Sequence, residues 1–175
     1  MKTLKTILIT GALTLGTFGL ITSLQSCGKK DKCNVVCKNG GECVNGVCEC
    51  PVGYEGKDCA TLSRTKFEGM YNAIDECVNT NRNNASLNYT IFIFPGSSSE
   101  PKKVEIRGLG NVEEGNITIS GDVDGNVINI PTQEVQGKQY SGKIEYIDNT
   151  NLKASFNISD GNVTIESCFS SMARS

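Results

Sequence analysis

The stretch Leu152-Lys153-Ala154-Ser155-Phe156-Asn157-Ile158 decides the fold class of the C-terminal part of this chain. Its apolar and polar residues alternate without a break. Because successive side chains of a β-strand point to opposite faces of the sheet, the apolar residues of this stretch share one face and the polar residues share the other. The stretch therefore predicts a half-buried antiparallel strand.

Similar stretches surround this one, and residues that favour turns separate them. Asp124-Gly125 and Asp160-Gly161 each lie between two such stretches, where a two-residue turn with positive φ joins antiparallel neighbours. We therefore expect consecutive strands to pair as a meander. The predicted strands are 87–94, 103–107, 116–120, 126–130, 140–147, 152–158 and 162–168.

The segment 67–79 is ambiguous, because its apolar residues fit one face of a helix as well as one face of a strand. We favour a strand, since Gly69 weakens a helix and a first strand would complete a set of about eight. Residues 67–170 then predict a mainly β fold that closes as a small antiparallel up-and-down barrel and leaves no exposed sheet edge. A two-sheet β-sandwich is the alternative. Residues 171–175 are expected to form a C-terminal tail.

The residues expected to face inward are bulky and apolar, which predicts a filled core, or an apolar ligand if any cavity exists. They are Tyr89, Ile91, Ile93, Ile117, Ile119, Leu152, Phe156 and Ile158. Cys77 lies in the predicted first strand and Cys168 in the last, which are neighbours in a closed barrel. A disulfide between them would close the seam, and on the chain-entropy model a loop of about 90 residues contributes roughly 4 to 5 kcal/mol.

Upstream of the barrel, residues 33–59 contain six cysteines and little that is apolar. A segment of this kind depends on cross-links rather than on a hydrophobic core. The cysteines are Cys33, Cys37, Cys43, Cys48, Cys50 and Cys59. Spacing alone leaves their pairing open. A zinc site is the competing interpretation, but an oxidising compartment and the absence of His from the chain disfavour it.

Two runs inside this segment carry a family resemblance. Cys37-Lys38-Asn39-Gly40-Gly41-Glu42-Cys43 and the run from Cys48-Glu49-Cys50-Pro51 to Cys59 resemble the epidermal growth factor-like (EGF-like) module. The resemblance implies a two-stranded hairpin and the disulfides Cys33–Cys43, Cys37–Cys48 and Cys50–Cys59. Calcium-binding members carry acidic ligands just before the first cysteine. Here lysines surround the lone Asp31, so we expect no calcium site.

The N-terminal residues predict export. Met1 to Lys5 is short and basic, and residues 6–24 are apolar and uncharged, as in a signal peptide. A retained transmembrane helix is the alternative, although three glycines interrupt the run. Leu24-Gln25-Ser26-Cys27 resembles the lipobox of bacterial lipoproteins. The resemblance implies that residues 1–26 are removed and that Cys27 carries acyl chains, which accounts for the odd number of cysteines.

The C-terminal pattern resembles a second family. Phe67-x-Gly69-x-Tyr71, Cys77, Ile130-Pro131-x-Gln133, Ser141-Gly142 and Cys168 look like the small lipocalin-like domains of Bacteroidota lipoproteins, in which such a domain can follow an EGF-like module. The resemblance implies no settled activity. It implies a location in the cell envelope, with the lipid in the outer membrane and the body at the periplasmic face or on the cell surface. Residues 27–32 would be the tether and residues 60–66 a linker.

Little in the sequence indicates catalysis, so we expect no enzyme. The chain has no His, which excludes Ser-His and Cys-His schemes, and its nine cysteines are all assigned. The acids Glu113-Glu114, Asp122 and Asp124 fall in loops and turns, where acids are ordinary solvated residues. The alternative that these acids leave open is a carboxylate-dependent hydrolase. The Tyr and Phe residues mostly occupy strand positions that could be core, and Trp is absent, so no sugar-binding platform is predicted.

The function predicted from the sequence is that of a membrane-anchored extracytoplasmic lipoprotein. It would act as a binding or interaction module for a protein partner or a small apolar ligand, with the EGF-like module as a rigid spacer. A purely structural envelope component is the alternative. Residues 1–26 contain Lys2 and Lys5 but no acid, so the rest of the chain has 15 basic and 19 acidic residues and a net charge of −4. A mildly acidic surface argues against nucleic acid. We expect a monomer with no cofactor, no metal and no catalytic residues.

Overall fold

The structure is a computed structural model that describes residues 33–78, 87–97, 99–111, 117–159 and 164–175. The predicted signal peptide, Cys27 and the tether lie outside the described residues. So do Glu113-Glu114 and the Asp160-Gly161 turn. Among the described residues, no helix is long and apolar enough to cross a bilayer.

The N-terminal cysteine-rich part consists of two small hairpins. Strand β1 (Glu42–Val44) pairs with β2 (Val47–Glu49) through the turn residues Asn45 and Gly46, whose φ angles are 50° and 84°. Strand β3 (Tyr54–Glu55) pairs with β4 (Thr61–Leu62). The disulfides Cys33–Cys43, Cys37–Cys48 and Cys50–Cys59 hold these hairpins and are the pairs that the family resemblance implies.

Eight further strands follow a 3₁₀ turn at Ser63–Lys66. Each pairs antiparallel with the next, and the last pairs with the first, so the sheet closes as a barrel. The strands are β5 (Gly69–Val78), β6 (Leu87–Pro95), β7 (Lys103–Arg107), β8 (Thr118–Asp124), β9 (Val127–Val135), β10 (Lys138–Tyr146), β11 (Asn151–Ser159) and β12 (Thr164–Arg174). The predicted closed barrel is confirmed, and the β-sandwich is excluded. Within the ambiguous segment 67–79, residues Gly69–Val78 form a strand, as favoured.

The end of the last strand corrects the prediction. Residues 171–175 were expected to form a tail, but β12 continues to Arg174 and pairs with β5 as far as Tyr71. The usual arrangement of apolar residues inside and polar residues outside is reversed here. Phe169 faces outward and is 64% exposed, whereas Ser170 faces inward and is 4% exposed. An apolar residue outside and a polar residue inside break the alternation that marks a strand.

The barrel interior is filled by its own side chains. Every residue of the hydrophobic core exposes 9% of its surface or less, including all eight residues that were expected to face inward. At Gly142 the φ angle is 155°, and an added Cβ would lie 2.6 Å from the Cα of Phe156. Glycine at this position therefore lets β10 and β11 approach closely while the Phe156 ring fills the interior. The predicted filled core is confirmed for the part of the chain that the structure describes.

Candidate binding surface

The seam disulfide lies on the inner side of the wall. Cys77 and Cys168 are directly paired residues of β5 and β12, with their Cα atoms 4.1 Å apart. The Asp75 carboxylate lies close to both sulfur atoms, within 4.8 Å. Because the two sulfurs are bonded to each other, neither is available as a thiolate, and this cluster is not a metal site.

Asp75 also belongs to a small polar network inside the barrel. Its carboxylate accepts a hydrogen bond of 2.6 Å from the Tyr89 hydroxyl, which in turn accepts one of 3.0 Å from the Gly110 backbone N–H. Burial, and then the negative charge of Asp75, raise the pKa of Tyr89. Tyr89 therefore stays neutral, so it can donate to Asp75 and hold Gly110 at the same time. The sequence pattern missed this network, because an acid at an inward position looks like an interruption of the strand.

The acids that were considered for catalysis occupy ordinary structural positions where they are described. Asp122 lies 3.0 Å from Lys103 and 3.6 Å from Lys102 as ion pairs. Asp124 is exposed at the hairpin between β8 and β9. Asp122 thus serves to link β8 to the lysines of β7 and the loop before it. The expectation that the chain is not an enzyme stays a prediction.

A buried arginine joins the cysteine-rich part to the barrel. Arg64, in the 3₁₀ turn, is 8% exposed and donates to the backbone carbonyls of Ser97, Glu100 and Lys103, at 3.4, 3.2 and 3.3 Å. Its Nε also lies 3.3 Å from the Glu68 carboxylate. The Arg64 guanidinium therefore organises the loop between β6 and β7, because its Nη1 group lies within hydrogen-bond distance of all three carbonyls.

Two more cations complete this junction. Lys66 contacts Glu55 of the cysteine-rich part at 2.7 Å and Asn126 of the β8–β9 turn at 2.8 Å. Arg174, at the end of β12, donates to the backbone carbonyls of Glu68 at 2.7 Å and of Lys66 at 2.9 Å. The segment that joins the cysteine-rich part to the barrel is thus bonded to both of them. Residues 60–66, predicted as a linker, contain β4 and the 3₁₀ turn.

A depression lies on the outer wall of the barrel, across β5, β12, β11 and β10. Its volume is about 480 Å³, and it is open to solvent. Ile74 and Phe169 form its apolar wall and are 50% and 64% exposed. Small residues, Ser155 and Ser171, line its floor. A second depression of about 380 Å³ shares Ile74, Lys153 and Ser171 with the first and continues towards the β10–β11 turn. We call the first depression the outer groove.

The opposite wall of the outer groove is charged. Lys143 and Glu145 form an ion pair of 2.6 Å, and Lys153 is the cross-strand partner of Glu145. Glu76 lies beside Phe169 on the apolar side. The groove thus combines exposed apolar surface with hydrogen-bond donors and acceptors. The sequence did not reveal it, because its aromatic residue lies beyond the predicted end of the last strand.

Comparison with known proteins identifies the N-terminal part. The family model described as an EGF-like domain matches residues 26–59. The predicted EGF-like module is therefore confirmed, whereas the lipoprotein and lipocalin-like assignments stay predictions. No curated protein matches the chain.

Solved structures similar to the chain include designed proteins. A redesigned β-barrel, b11L5F_LGL, is 16% identical, covers 65% of this chain and 95% of its own, and has a TM-score of 0.43. A structure described as EF1p2_mFAP2b bound to DFHBI is 15% identical, covers 66% and 100% of the two chains, and has a TM-score of 0.44. Neither similarity bears on the function of this chain.

Proposed function

We propose that the chain is an extracytoplasmic binding protein, anchored to the outer membrane by a lipid on Cys27, that engages its partner at the outer groove. The observation that carries the proposal is the contrast between the two faces of the barrel wall. The interior is closed by core residues, whereas Ile74 and Phe169 expose half or more of their surface outside. Large exposed apolar side chains next to polar ones are typical of interaction sites.

The filled interior also favours one of the two kinds of ligand over the other. A small apolar ligand would need space inside the barrel, and the core side chains leave almost no surface that a water molecule could touch. Surface binding needs no rearrangement of this core. We therefore favour a partner that lies on the wall over one that enters the barrel.

The EGF-like module acts as a rigid spacer in this proposal. Arg64 and Lys66 connect the module and the barrel through bonds on both sides of the 3₁₀ turn. At Gly53 of the module, an added Cβ would lie 3.1 Å from Pro101 in the loop between β6 and β7, which shows how closely the two parts pack. A fixed junction would hold the outer groove at a constant orientation relative to the EGF-like module.

Site-specific photo-crosslinking in intact cells tests the proposal. A photoreactive residue is introduced at Ser171, on the floor of the groove, and in a control protein at Glu134, which is exposed on β9 away from it. We expect a discrete adduct from Ser171 that disappears when Phe169→Ala is added, and none from Glu134. Equal labelling from both positions, or no adduct from Ser171, would contradict binding at the groove and favour a purely structural role.

A further inference from the structure

The closed barrel limits the ways in which the outer groove can bind a ligand. Each of the eight strands pairs with neighbours on both sides, so the backbone N–H and C=O groups of the wall are used within the sheet. A peptide cannot bind here by adding a strand, because that mode needs an exposed sheet edge. Recognition at the groove depends on side chains alone.

The side chains of the groove suit a ligand with two kinds of surface. Phe169 and Ile74 offer exposed apolar surface, and Ser155 and Ser171 place hydroxyl groups on the adjacent floor. A sugar ring presents C–H groups on its faces and hydroxyl groups around its edge. The C–H face can pack on an aromatic ring while the hydroxyls bond to the polar wall.

The charges of the groove indicate that the ligand is neutral. Two lysines, Lys143 and Lys153, are balanced by two acids, Glu76 and Glu145. A polyanion or a polycation would meet repulsion and attraction in equal measure. A hydroxyl group both donates and accepts hydrogen bonds, so it can pair with the ammonium groups and with the carboxylates. The groove volume of about 480 Å³ also falls within the range of about 300 to 1,000 Å³ that is typical of small-ligand sites.

We infer that the outer groove is a binding site for neutral oligosaccharides, with Phe169 as the platform on which a sugar ring stacks. The sequence predicted no such platform, because the Phe and Tyr residues were expected in the core, whereas Phe169 is 64% exposed. The inference rests on the proposed function, since it names the class of partner for the same surface. It requires no movement of the core, because Phe169 and the polar residues of the wall already face solvent.

Calorimetric titration tests the inference. The protein is extracted from its membrane in a detergent without a sugar headgroup and titrated with maltotriose, cellotriose and chitotriose, and with an acidic trisaccharide for comparison. We expect saturable binding of at least one neutral trisaccharide, with a Kd on the order of 1 mM. Phe169→Ala should weaken this binding at least about 10-fold. Phe94→Ala, which removes another exposed aromatic ring outside the groove, should leave it within about 2-fold.

Three results would overturn the inference: no binding of any neutral trisaccharide at about 20 mM, a preference for the acidic one, or binding that Phe169→Ala leaves unchanged. Because Phe169 is exposed, the alanine variant should keep the thermal midpoint of the wild type, which excludes unfolding as the cause of lost binding. If the photo-crosslinks from Ser171 persist while no sugar binds, the oligosaccharide inference fails and the proposed function stands. If both are negative, both fail.

Discussion

Cys77 and Cys168 face each other across the seam at which the first and last strands of the barrel pair, and a disulfide joins them. They are 91 residues apart in sequence, so this one bond connects nearly the whole length of the barrel domain. Backbone pairing closes the cylinder, and the disulfide shortens the loop that the unfolded chain can explore.

Removing this bond should destabilise the barrel strongly. For the Cys77→Ala/Cys168→Ala double variant we expect the free energy of unfolding to fall by about 3 to 5 kcal/mol, because the long loop regains its entropy in the unfolded state. Urea unfolding followed by the tyrosine signal measures the change. The matched Cys33→Ala/Cys43→Ala variant opens a loop with a separation of only 10 residues, outside the barrel, and should leave the barrel transition in place. A barrel transition that is unchanged without the seam bond would contradict this role.

The Tyr89 hydroxyl should contribute to stability through the two groups it satisfies. Tyr89→Phe leaves the buried Asp75 carboxylate without this donor and the Gly110 N–H without this acceptor, so we expect a loss of about 1 to 3 kcal/mol. Tyr146→Phe is the control, since its hydroxyl bonds to Asn149 at the surface, and it should cost about 0.5 kcal/mol or less. Chemical denaturation compares the two, and equal losses would argue against the network.

Arg64 should determine how rigidly the EGF-like module sits on the barrel. Arg64→Ala removes three hydrogen bonds to the β6–β7 loop, and we expect a loss of about 2 to 4 kcal/mol together with a looser junction. Spin labels at Val47 in the module and Glu134 in the barrel report the distance between the two parts. The distance distribution should be narrow in the wild type and in the exposed control Lys57→Ala, and broad in Arg64→Ala. A broad distribution in the wild type would refute the rigid spacer.

The turn between β10 and β11 should depend on pH through Asp148. Hydrogen bonds from the side chain and the backbone of Thr150, and then from Asn151, lower the pKa of Asp148 from 3.8 to about 2. A lowered pKa means that the stabilisation is fully present above the unfolded value and is lost as the pH falls towards 2. The difference in stability between wild type and Asp148→Ala should therefore be constant above about pH 5 and shrink between pH 4 and pH 2.

Thr150→Val provides the control for this prediction, because it removes one of the donors to Asp148. The pH-dependent part of the stability should become smaller in this variant. Thermal unfolding between pH 2 and pH 6 measures both effects. A difference between wild type and Asp148→Ala that is independent of pH would contradict the assignment.

The sequence was sufficient to predict the barrel because apolar and polar residues alternate regularly in the predicted strands. The run from Leu152 to Ile158 places its apolar side chains inward. A hairpin joins β8 to β9 where one was expected, but its turn residues are Gly125 and Asn126 rather than Asp124 and Gly125, because Asp124 still pairs with Val127. Closure followed from the number of strands and from the placement of Cys77 and Cys168 at the two ends of the domain.

The functional features could not be predicted from the sequence, for physical reasons. Asp75 is polar at an inward position, and Phe169 is apolar at an outward one, so each looks like an interruption of the pattern. The contacts of Arg64 and Arg174 join residues far apart in the chain, for example Arg174 with Glu68. Local periodicity carries no information on such partners, whereas the folded barrel brings them together.

The claim on which the function rests most heavily is the lipid on Cys27, because it decides whether the protein that carries the outer groove is held at a membrane. Intact-mass analysis of the protein extracted from its native membrane tests it directly. We predict a chain that begins at Cys27 and carries the added mass of acyl chains, and a Cys27→Ser variant that lacks this mass and leaves the membrane fraction. A wild-type protein that retains residues 1–26, or begins at another residue without a lipid, would contradict the account.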